Sequence, residues 1–432
     1  MKFYSTNKKS EPVSFKKAVL KGIADDGGLF MPGTIPSLPK EFWNTVEDYS
    51  LAEIGYYVST LFLKDEIDDK DLKEIISNSI TFDAPLVKLD NSNYILELFH
   101  GPTLAFKDFG ARFMANTLSH LNDGKRITIL VATSGDTGSA VANGFYEVEG
   151  IDVVLLYPQN KVSKIQEQQL TTLDKNITAL EVKGNFDDCQ RLVKTAFLDK
   201  DIKNKLIISS ANSINIARLI PQSFYYRSAY AQLKRENAQI VFSVPSGNFG
   251  NLTGGLFAYK MGLPVKNFIA SVNLNDVFKN YIATGNYEPK PSVKTISNAM
   301  DVGNPSNFER LYKLFGEDYQ TIKSLIKSYS YNDEQTKDAI KEVKDKFDYL
   351  IDPHGAVGYL GLKKYFEENG NEHPGIILET AHPAKFKDVV DDVLNIDLPL
   401  PGELDKCMKK EKHSIIISEK FEDLKEFLLN KN

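Results

Sequence analysis

The spacing of hydrophobic residues along the chain changes character near residue 85. Before that point, apolar residues recur at the three- and four-residue intervals of amphipathic helices, and runs typical of strands are few. The clearest helical series are Ala52, Ile54, Val58, Leu61 and Phe62, followed by Leu72, Ile75 and Ile76. Gly27, Gly28 and Pro32 interrupt the first segment as a loop does, and we place a boundary at Pro85.

After Pro85, short apolar runs alternate with segments of helical pattern. The runs predict buried strands at 127–131, 153–157, 177–182, 206–209, 240–244, 268–272 and 376–378. Short strands that alternate with helices are typical of βαβ units, so the pattern predicts an α/β protein with a mostly parallel sheet. Such sheets bind ligands beyond the carboxyl ends of their strands, so we expect the chemistry in the loops that follow the strands.

Two segments depart from this alternation. Residues 304–347 are charged and mostly helical in pattern, which predicts an outer covering. The last thirty residues are rich in Lys and Glu and predict a surface helix.

Composition is that of an ordinary globular protein. The 432 residues predict two to three domains, and 42% hydrophobic and 25% charged residues are usual values. The formal net charge of -6 disfavours a nucleic-acid partner, because contacts to phosphates need a basic surface. A local basic pocket for a small anion remains compatible with that charge.

Few residues suit metals, disulfides or membranes. The two cysteines, Cys189 and Cys407, suggest neither a disulfide framework nor a thiolate metal site, which fits a reducing cytoplasm. The six histidines show no ligand spacing, so we expect no metal. The first residues lack a signal-peptide core, and no apolar run approaches the roughly 20 residues of a membrane span. We therefore expect a cytoplasmic protein without a membrane partner.

Lys107 is the most informative residue of the chain. It lies between Phe106 and Asp108, shortly after a Gly-Pro pair. Apolar burial lowers the pKa of a lysine, and the free amine can then attack a carbonyl to form a Schiff base. The alternative is a lysine that pairs with Asp108 on a helix surface.

Two glycine-rich loops follow predicted strands. The loop ATSGDTG, residues 132–138, would expose N–H groups at a helix start, which suits a carboxylate or phosphate; a plain helix cap by Ser134 or Asp136 is the alternative. The loop SGNFGN, residues 246–251, can form an N–H nest for an anion, or a flexible turn. Because it matches neither a Walker nor a dinucleotide motif, a cofactor phosphate is favoured over a nucleotide.

Two further polar segments offer partners for such anions. In ETAHPAKF, residues 379–386, Thr380 can present its hydroxyl to a ring nitrogen, while His382 is either a base or a hydrogen-bonded structural residue. The spacing of Asn212, Asn215 and Arg218 predicts one helical face. That face suits a phosphate or carboxylate, or is simply solvated.

These four loops and Lys107 together predict a pyridoxal phosphate enzyme. The cofactor requires a lysine amine, a cradle for its phosphate and a partner for its ring nitrogen, and the substrate requires a seat for its carboxylate.

The sequence resembles the threonine synthases, which belong to the fold type II group of pyridoxal phosphate enzymes, related to tryptophan synthase β. The resemblance extends over nearly the whole chain. It is carried by residues 4–6, 14–15 and 22–30, by FKDFGARF around Lys107, by ATSGDTG and SGNFGN, by residues 297–310 and by ETAHPAKF.

The resemblance implies an α/β fold with two three-layer, parallel-sheet domains and a smaller, mostly helical N-terminal segment. It implies an N-terminal domain at 1–82, a catalytic region at 83–400 and a C-terminal tail at 401–432. Within the catalytic region, the small subdomain would span about 110–238, and the large one 83–109 and 239–400.

The resemblance also implies roles for particular residues. Lys107 would carry the cofactor and move protons, Thr380 would face the pyridine nitrogen, and Asp136 would lie near the ring hydroxyl. The cofactor phosphate would be held by Gly247, Asn248, Phe249, Gly250 and Asn251. The substrate carboxylate would be held by Thr133, Ser134, Gly135 and Thr137. Candidates for the substrate phosphate are Asn215 and Arg218, and then Lys294, Asn298 and Lys385 without ranking.

The implied reaction converts O-phospho-L-homoserine and water into L-threonine and phosphate, by γ-elimination and addition of water at the β-carbon. Two alternatives remain open: a related phospho-lyase that releases 2-oxobutyrate, and a non-catalytic relative that only binds its ligand. The resemblance is compatible with either a monomer or a homodimer.

Overall fold

Three β-sheets and the helices around them make up the computed structural model, which describes residues 1–233 and 239–430. In chain order the strands are β1 Phe3–Ser5, β2 Phe30–Pro32, β3 Leu86–Lys88, β4 Asn93–Glu97, β5 Ile127–Ala132, β6 Ile151–Pro158, β7 Ile177–Lys183, β8 Ile207–Ser210, β9 Ile240–Pro245, β10 Val265–Val272, β11 Ile326–Ser330, β12 Gly375–Glu379 and β13 Ile415–Ser418.

The α-helices follow the same chain order. They are α1 Phe15–Lys21, α2 Lys40–Thr45, α3 Leu51–Leu63, α4 Asp69–Ser79, α5 Lys107–Leu121, α6 Asp136–Gly144, α7 Lys164–Thr171, α8 Phe186–Leu198, α9 Lys200–Lys205, α10 Ile216–Leu219, α11 Phe224–Leu233, α12 Gly250–Lys260, α13 Val277–Thr284, α14 Phe308–Leu314, α15 Tyr319–Leu325, α16 Asp333–Phe347, α17 Pro353–Asn369, α18 Lys387–Leu394, α19 Gly402–Met408 and α20 Phe421–Asn430. Short 3-10 helices lie at Val46–Asp48, Ile220–Ser223, Asn298–Met300 and Pro383–Phe386.

The N-terminal segment is mostly helical, as its apolar spacing predicts. Ile54 and Val58 of α3 and Ile75 of α4 are buried on the faces that the pattern marks as apolar. Ser50 begins α3 with a capping box, and Asp68 caps α4, so polar residues define where both helices start. Strands β1 and β2 add a small antiparallel sheet that the pattern did not predict.

The first α/β sheet has the strand order β11-β10-β9-β12-β4-β3 and is parallel except for β3, which runs antiparallel to β4. Alternate residues of its strands enter two different cores. Phe242 and Ile376 face the large central core, whereas Val241 and Ile377 face a second core under α17. A sheet buried on both faces is the middle of three layers.

The second sheet has the order β13-β7-β6-β5-β8, and every pairing in it is parallel. Its strands alternate in the same way. Ile129 and Val153 face the central core, and Leu130 and Val154 face a separate core beneath α8 and α20. All the strands expected between residues 127 and 378 are therefore present, and the prediction of an α/β fold with parallel sheets is confirmed.

Several elements differ from the sequence pattern. Residues 304–347 contain β11 as well as helices. This edge strand has one buried residue, Ile326, and four half-buried ones, so its sequence shows no continuous apolar run. The last thirty residues form more than a surface helix. Their strand β13 pairs with β7, and Leu424 and Leu428 of α20 are buried against the second sheet.

The carboxyl ends of β4, β5, β9 and β12 are followed by the loops that carry the predicted site. Past β4 and β12 the chain segments stay paired, through an isolated bridge between Ala105 and Ala381. Because of this pairing, the start of α5 lies beside the end of β12. Within residues 1–233 and 239–430, no helix combines the length and apolar character that a membrane span requires.

Candidate active site

Lys107 is the first residue of α5, and backbone hydrogen bonds fix the turn before it. The Phe106 N–H donates to the Thr380 carbonyl at 2.9 Å, and the His382 N–H donates to the Leu104 carbonyl at 3.1 Å. Leu104 adopts a left-handed conformation, with φ of 57°, to make this turn. The Lys107 side chain is only 16% exposed and points toward α6, where its nearest carboxylate lies.

The surroundings of Lys107 favour its free amine. Its Nζ lies 3.7 Å from a carboxylate oxygen of Asp136. Burial lowers the pKa of Lys107, Asp136 raises it, and the charges of Lys385 and Arg218 lower it further, so that the pKa is below the ordinary lysine value. A lysine in this state is suited to attack a carbonyl.

Asp108 is not the partner of Lys107. Its carboxylate accepts from the Thr103 N–H at 2.9 Å and from the Thr103 hydroxyl at 2.6 Å. Burial raises the pKa of Asp108. The alternative of a Lys107–Asp108 pair on a helix surface is therefore wrong.

Asp136, the first residue of α6, is the anionic centre of the site. One carboxylate oxygen accepts from Lys385 Nζ at 2.9 Å and from Gln166 Nε2 at 3.1 Å. Burial on its own raises the pKa of Asp136, but Lys385 and Lys107 outweigh it and hold the pKa well below the usual range. Asp136 is therefore ionised at neutral pH.

The loop before α6 presents unused N–H groups. Thr133 Oγ1 accepts from the N–H groups of Gly135 at 3.0 Å and Gly138 at 2.8 Å, so this hydroxyl shapes the loop from inside. The N–H groups of Ser134, Asp136 and Thr137 have no acceptor in the described part of the chain. Neither Ser134 nor Asp136 caps α6, so the helix cap expected at these two residues is excluded and the loop is open to an anion.

Gly135 is required by the shape of that loop. Its φ of 137° lies in a region that other residues rarely adopt. A Cβ there would also lie 2.5 Å from the Gln166 side chain. Gln166, which sequence reasoning missed, thus supports both the loop and Asp136; its only local signal is a capping box with Ser163.

The loop before α12 is the second group of unused donors. The N–H groups of Gly247, Asn248, Phe249, Gly250 and Asn251 have no acceptor among residues 1–233 and 239–430. Phe249 begins α12 in a left-handed conformation with φ of 60°, which turns successive N–H groups to one side. A Cβ on Gly247 would lie 2.7 Å from Met300 Cα.

This loop is held on both sides and is no flexible turn. Asn248 Nδ2 donates to Ser213 Oγ at 2.6 Å, and Asn248 Oδ1 accepts from the Ser306 N–H at 2.6 Å. Asn251 Oδ1 accepts from the hydroxyls of Tyr225 at 2.7 Å and Tyr226 at 2.8 Å. Asn251 Nδ2 is buried without a partner among the described residues, and such an orphaned donor favours an anionic ligand.

Thr380 directly follows β12, beside the start of α5. Its side chain is buried, and its hydroxyl has no hydrogen-bond partner within the described ranges. The preceding Glu379 accepts from the Asp352 N–H at 2.7 Å through one oxygen, while the other has no described partner. Burial and Asp352 raise the pKa of Glu379 well above its ordinary value, which favours the neutral form of this carboxyl group.

The predicted helical face at 212–218 is wrong. Helix α10 begins only at Ile216, and Asn215 is its cap. Asn215 Nδ2 donates to the carbonyls of Val19 at 2.9 Å and Ser210 at 3.0 Å, and Oδ1 accepts from the Ala217 N–H at 3.1 Å. Both N–H bonds of the amide are used, so Asn215 has none left for a phosphate, and it is no part of the function proposed below.

Arg218 differs from Asn215. It is 3% exposed, it donates to the Ala211 carbonyl, and its Nε has no partner in the described part of the chain. A Cβ on Gly110 would lie 2.8 Å from this Nε, so the glycine lets α5 approach the guanidinium group. Burial lowers the pKa of Arg218 to about 10, which still leaves it cationic at neutral pH.

The remaining candidates divide between surface and interior. Lys294 is exposed, and Asn298 is half-buried at the start of a 3-10 helix that touches Gly247 through Met300. Lys385 is fully buried, and its ammonium group donates to Asp136 and to the Thr103 carbonyl. His382 caps its own 3-10 helix by accepting from the Ala384 N–H at 3.0 Å, which matches the structural alternative for this residue.

The residues present fit pyridoxal phosphate. The structure combines a buried lysine of lowered pKa, a nest of unused N–H groups with an orphaned amide, and a free hydroxyl at a strand end. These are the groups that the cofactor's carbonyl, phosphate and ring nitrogen require.

Three family models match the chain, and together they cover nearly all of it. Residues 80–377 match the family of pyridoxal-phosphate-dependent enzymes. Residues 2–80 match the threonine synthase N terminus, and residues 355–428 match the C-terminal part of threonine synthases.

Individual relatives agree along their whole length. A threonine synthase of Haemophilus influenzae is 45% identical over 99% of this chain and 100% of the relative. The crystal structure of threonine synthase from Escherichia coli superposes with a TM-score of 0.94 at 42% identity, covering 100% of both chains. That of threonine synthase from Brucella melitensis with bound pyridoxal phosphate gives 0.93 at 34% identity, over 99% and 98%. The chain belongs to the threonine synthase family of pyridoxal-phosphate-dependent enzymes.

Proposed function

We propose that the protein converts O-phospho-L-homoserine and water into L-threonine and phosphate. The observation that carries this proposal is the placement of Lys107, a largely buried amine whose Nζ lies 3.7 Å from Asp136, the first residue of a helix whose preceding loop leaves N–H groups unused. The full-length match to threonine synthases supports the same substrate class.

Pyridoxal phosphate, when bound, draws electrons from the substrate's carbon atoms and so makes protons on them acidic. Lys107 would hold its carbonyl carbon, and the 247–251 loop with Asn251 would hold its phosphate. Thr380 would face its ring nitrogen, and Asp136 its ring hydroxyl. These four contacts come from both α/β sheets, which would fix the cofactor between them.

Lys107 is the residue that moves protons. Its lowered pKa gives a larger fraction of free amine at neutral pH than an exposed lysine has, so it can take the α-proton of the substrate and later return it. The unused N–H groups of Ser134, Asp136 and Thr137 would hold the substrate carboxylate, with Thr133 and Gly135 shaping their loop.

Arg218 is the residue we assign to the departing phosphate. It is a buried cation whose Nε has no partner among the described residues, and its charge lowers the pKa of Lys107. A fixed guanidinium group stabilises a leaving phosphate more than water does, because the site is buried and the group needs no reorientation. Lys294 and Asn298 remain weaker candidates.

We place this reaction in the cytoplasm, in a monomer or homodimer without a nucleic-acid or membrane partner.

The proposed domain division is an N-terminal domain at 1–82, a catalytic region at 83–400 with the small subdomain at about 110–238, and a tail at 401–432. Contact between the subdomains around Lys107 would exclude bulk water, which could otherwise divert the substrate to 2-oxobutyrate.

A product assay tests the proposed reaction. The protein is supplied with pyridoxal phosphate and O-phospho-L-homoserine, and threonine, phosphate and 2-oxobutyrate are measured together. One threonine for each phosphate is expected, and Lys107→Ala should abolish both while Lys364→Ala, an exposed lysine of α17, should not. Phosphate with 2-oxobutyrate would instead identify a phospho-lyase, and no phosphate would mean another substrate or binding alone.

A further inference from the structure

A second lysine is completely buried beside the first. Lys385 lies in the 3-10 helix Pro383–Phe386, and none of its side chain is exposed. Its Nζ donates to an Asp136 oxygen at 2.9 Å and to the Thr103 carbonyl at 2.8 Å. Because a lysine is almost never fully buried unless it is paired, these two contacts must account for its place in the fold.

Asp136 therefore lies between two amines. Lys385 contacts one carboxylate oxygen at 2.9 Å, and Lys107 lies 3.7 Å from the other. Lys385 is the closer partner, so it compensates most of the negative charge of Asp136. Unlike Lys107, Lys385 has no part in the proton transfers proposed above. Lys107 is the weaker partner and is free to lose its proton.

Local bonds place Lys385 in this position. The Lys385 N–H donates to the His382 carbonyl at 3.0 Å, which closes the short helix after Pro383. Thr103 is fixed in turn, because its N–H and hydroxyl both bind Asp108. Gln169 of α7 also donates to the Thr103 carbonyl, at 3.3 Å. The ammonium group thus joins the loop before α5 to the start of α6.

We propose that Lys385 is a positioning residue of the active site, whose ammonium group holds the Asp136 carboxylate in place and keeps the Lys107 amine available as a free base. The inference rests on the function proposed above for Lys107. It gives Lys385 a fixed role in the interior, in place of the substrate-phosphate contact that its sequence position suggested.

The charged groups around Lys107 set the direction of the effect. Asp136 faces it from α6, Lys385 from the 3-10 helix and Arg218 from α10, while Asp108 on its own helix is bound to Thr103. Burial, Lys385 and Arg218 lower the pKa of Lys107, and Asp136 raises it. Loss of the Lys385 charge removes one lowering influence and leaves Lys107 as the remaining ammonium group beside Asp136 in the described part of the chain, so both changes raise this pKa.

The test measures the Lys107 amine directly. The full-length chain, freed of cofactor, is labelled with acetic anhydride at a series of pH values, and acetylation of Lys107 is read by peptide mass spectrometry. In Lys385→Met the midpoint should rise by about one pH unit or more, a roughly tenfold loss of free amine below it. Lys385→Arg and the exposed control Lys364→Met should stay within about 0.3 units, since neither changes the buried charge.

A second variant separates charge from loosening of the site. Asp136→Asn removes the anion and leaves Lys385, so the Lys107 midpoint should fall, whereas a loosened, wetter site would raise it in both variants. Lys385→Gln keeps an N–H donor for Thr103 without the charge, and it replaces Lys385→Met if circular dichroism shows that the latter is unfolded. An unchanged or lower midpoint in the folded Lys385 variant, or a higher one in Asp136→Asn, would overturn the proposal.

The result is independent of turnover. Labelling is read without substrate, so the predicted shifts in a protein that makes no threonine would remove the proposed reaction and keep the role of Lys385. Threonine formation, together with an unchanged Lys107 midpoint in Lys385→Met, would keep the proposed reaction and remove the role of Lys385.

Discussion

Gly247 gives the sharpest test of the proposed phosphate cradle. Substitution by alanine adds a Cβ that lies 2.7 Å from Met300 Cα and 2.9 Å from the Ala299 carbonyl oxygen. Both are backbone atoms, which cannot rotate away as a side chain can. Since carbon atoms prefer a separation of about 3.5–4.0 Å, the loop must move by roughly 1 Å.

Such a movement displaces the N–H groups of residues 247–251 from the cofactor phosphate. A hydrogen bond to a charged group contributes about 1.5–3 kcal/mol, so the loss of one contact weakens binding by about 10- to 100-fold. Gly402→Ala is the matched control, because a Cβ at Gly402 meets nothing within 4 Å.

The assay is a titration of the cofactor-free chain with pyridoxal phosphate, followed by the absorbance of the bound cofactor, with circular dichroism to verify the fold. Gly247→Ala should bind at least about tenfold more weakly than the unmodified chain, and Gly402→Ala should bind equally well. Equal affinity for folded Gly247→Ala and the unmodified chain would refute the placement of the cofactor phosphate in this loop.

Two further substitutions test other parts of the site and of the fold. Arg218→Met should lower kcat/KM for O-phospho-L-homoserine by about tenfold or more, because a charge-assisted contact is lost; the exposed Arg191→Met should not, and an unchanged kcat/KM would remove Arg218 from the site. Arg310→Met should reduce the free energy of unfolding by about 3 kcal/mol in denaturant titrations, because it takes the guanidinium donor from the buried carbonyl of Phe30 and the partly buried carbonyl of Ile214; a loss no larger than that of Arg191→Met would contradict this.

Among the strands, the sequence pattern is clearest for those buried on both faces. Strand β5, Ile127–Ala132, is buried at every position, so its apolar run is visible without knowledge of its neighbours. Strand β11, at the edge of the first sheet, is harder to recognise, because only Ile326 of its five residues is buried and polar residues interrupt its pattern. Strand β13 does carry a short apolar run at residues 415–417, but the surrounding Lys- and Glu-rich sequence favoured a surface helix, and its pairing with β7 identifies it as a strand.

The candidate site was predictable where a backbone conformation requires particular residues close together in the sequence. Glycines and small polar residues after a strand marked both loops that present unused N–H groups, because an anion-binding loop needs open N–H groups and unusual φ values. Spacing misplaced Asn215, since an asparagine that caps a helix looks in sequence like one on its face. The role of Lys385 depends on Asp136, which is distant in sequence, and only the fold brings the two together.

If Lys107 carries the cofactor, borohydride reduction of the protein loaded with pyridoxal phosphate will attach the cofactor to this residue. Reduction makes the bond between the lysine and the cofactor permanent, so peptide mass spectrometry identifies the residue. We expect the added pyridoxyl phosphate mass on Lys107 alone. The same mass on another lysine, above all on the neighbouring buried Lys385, would contradict it.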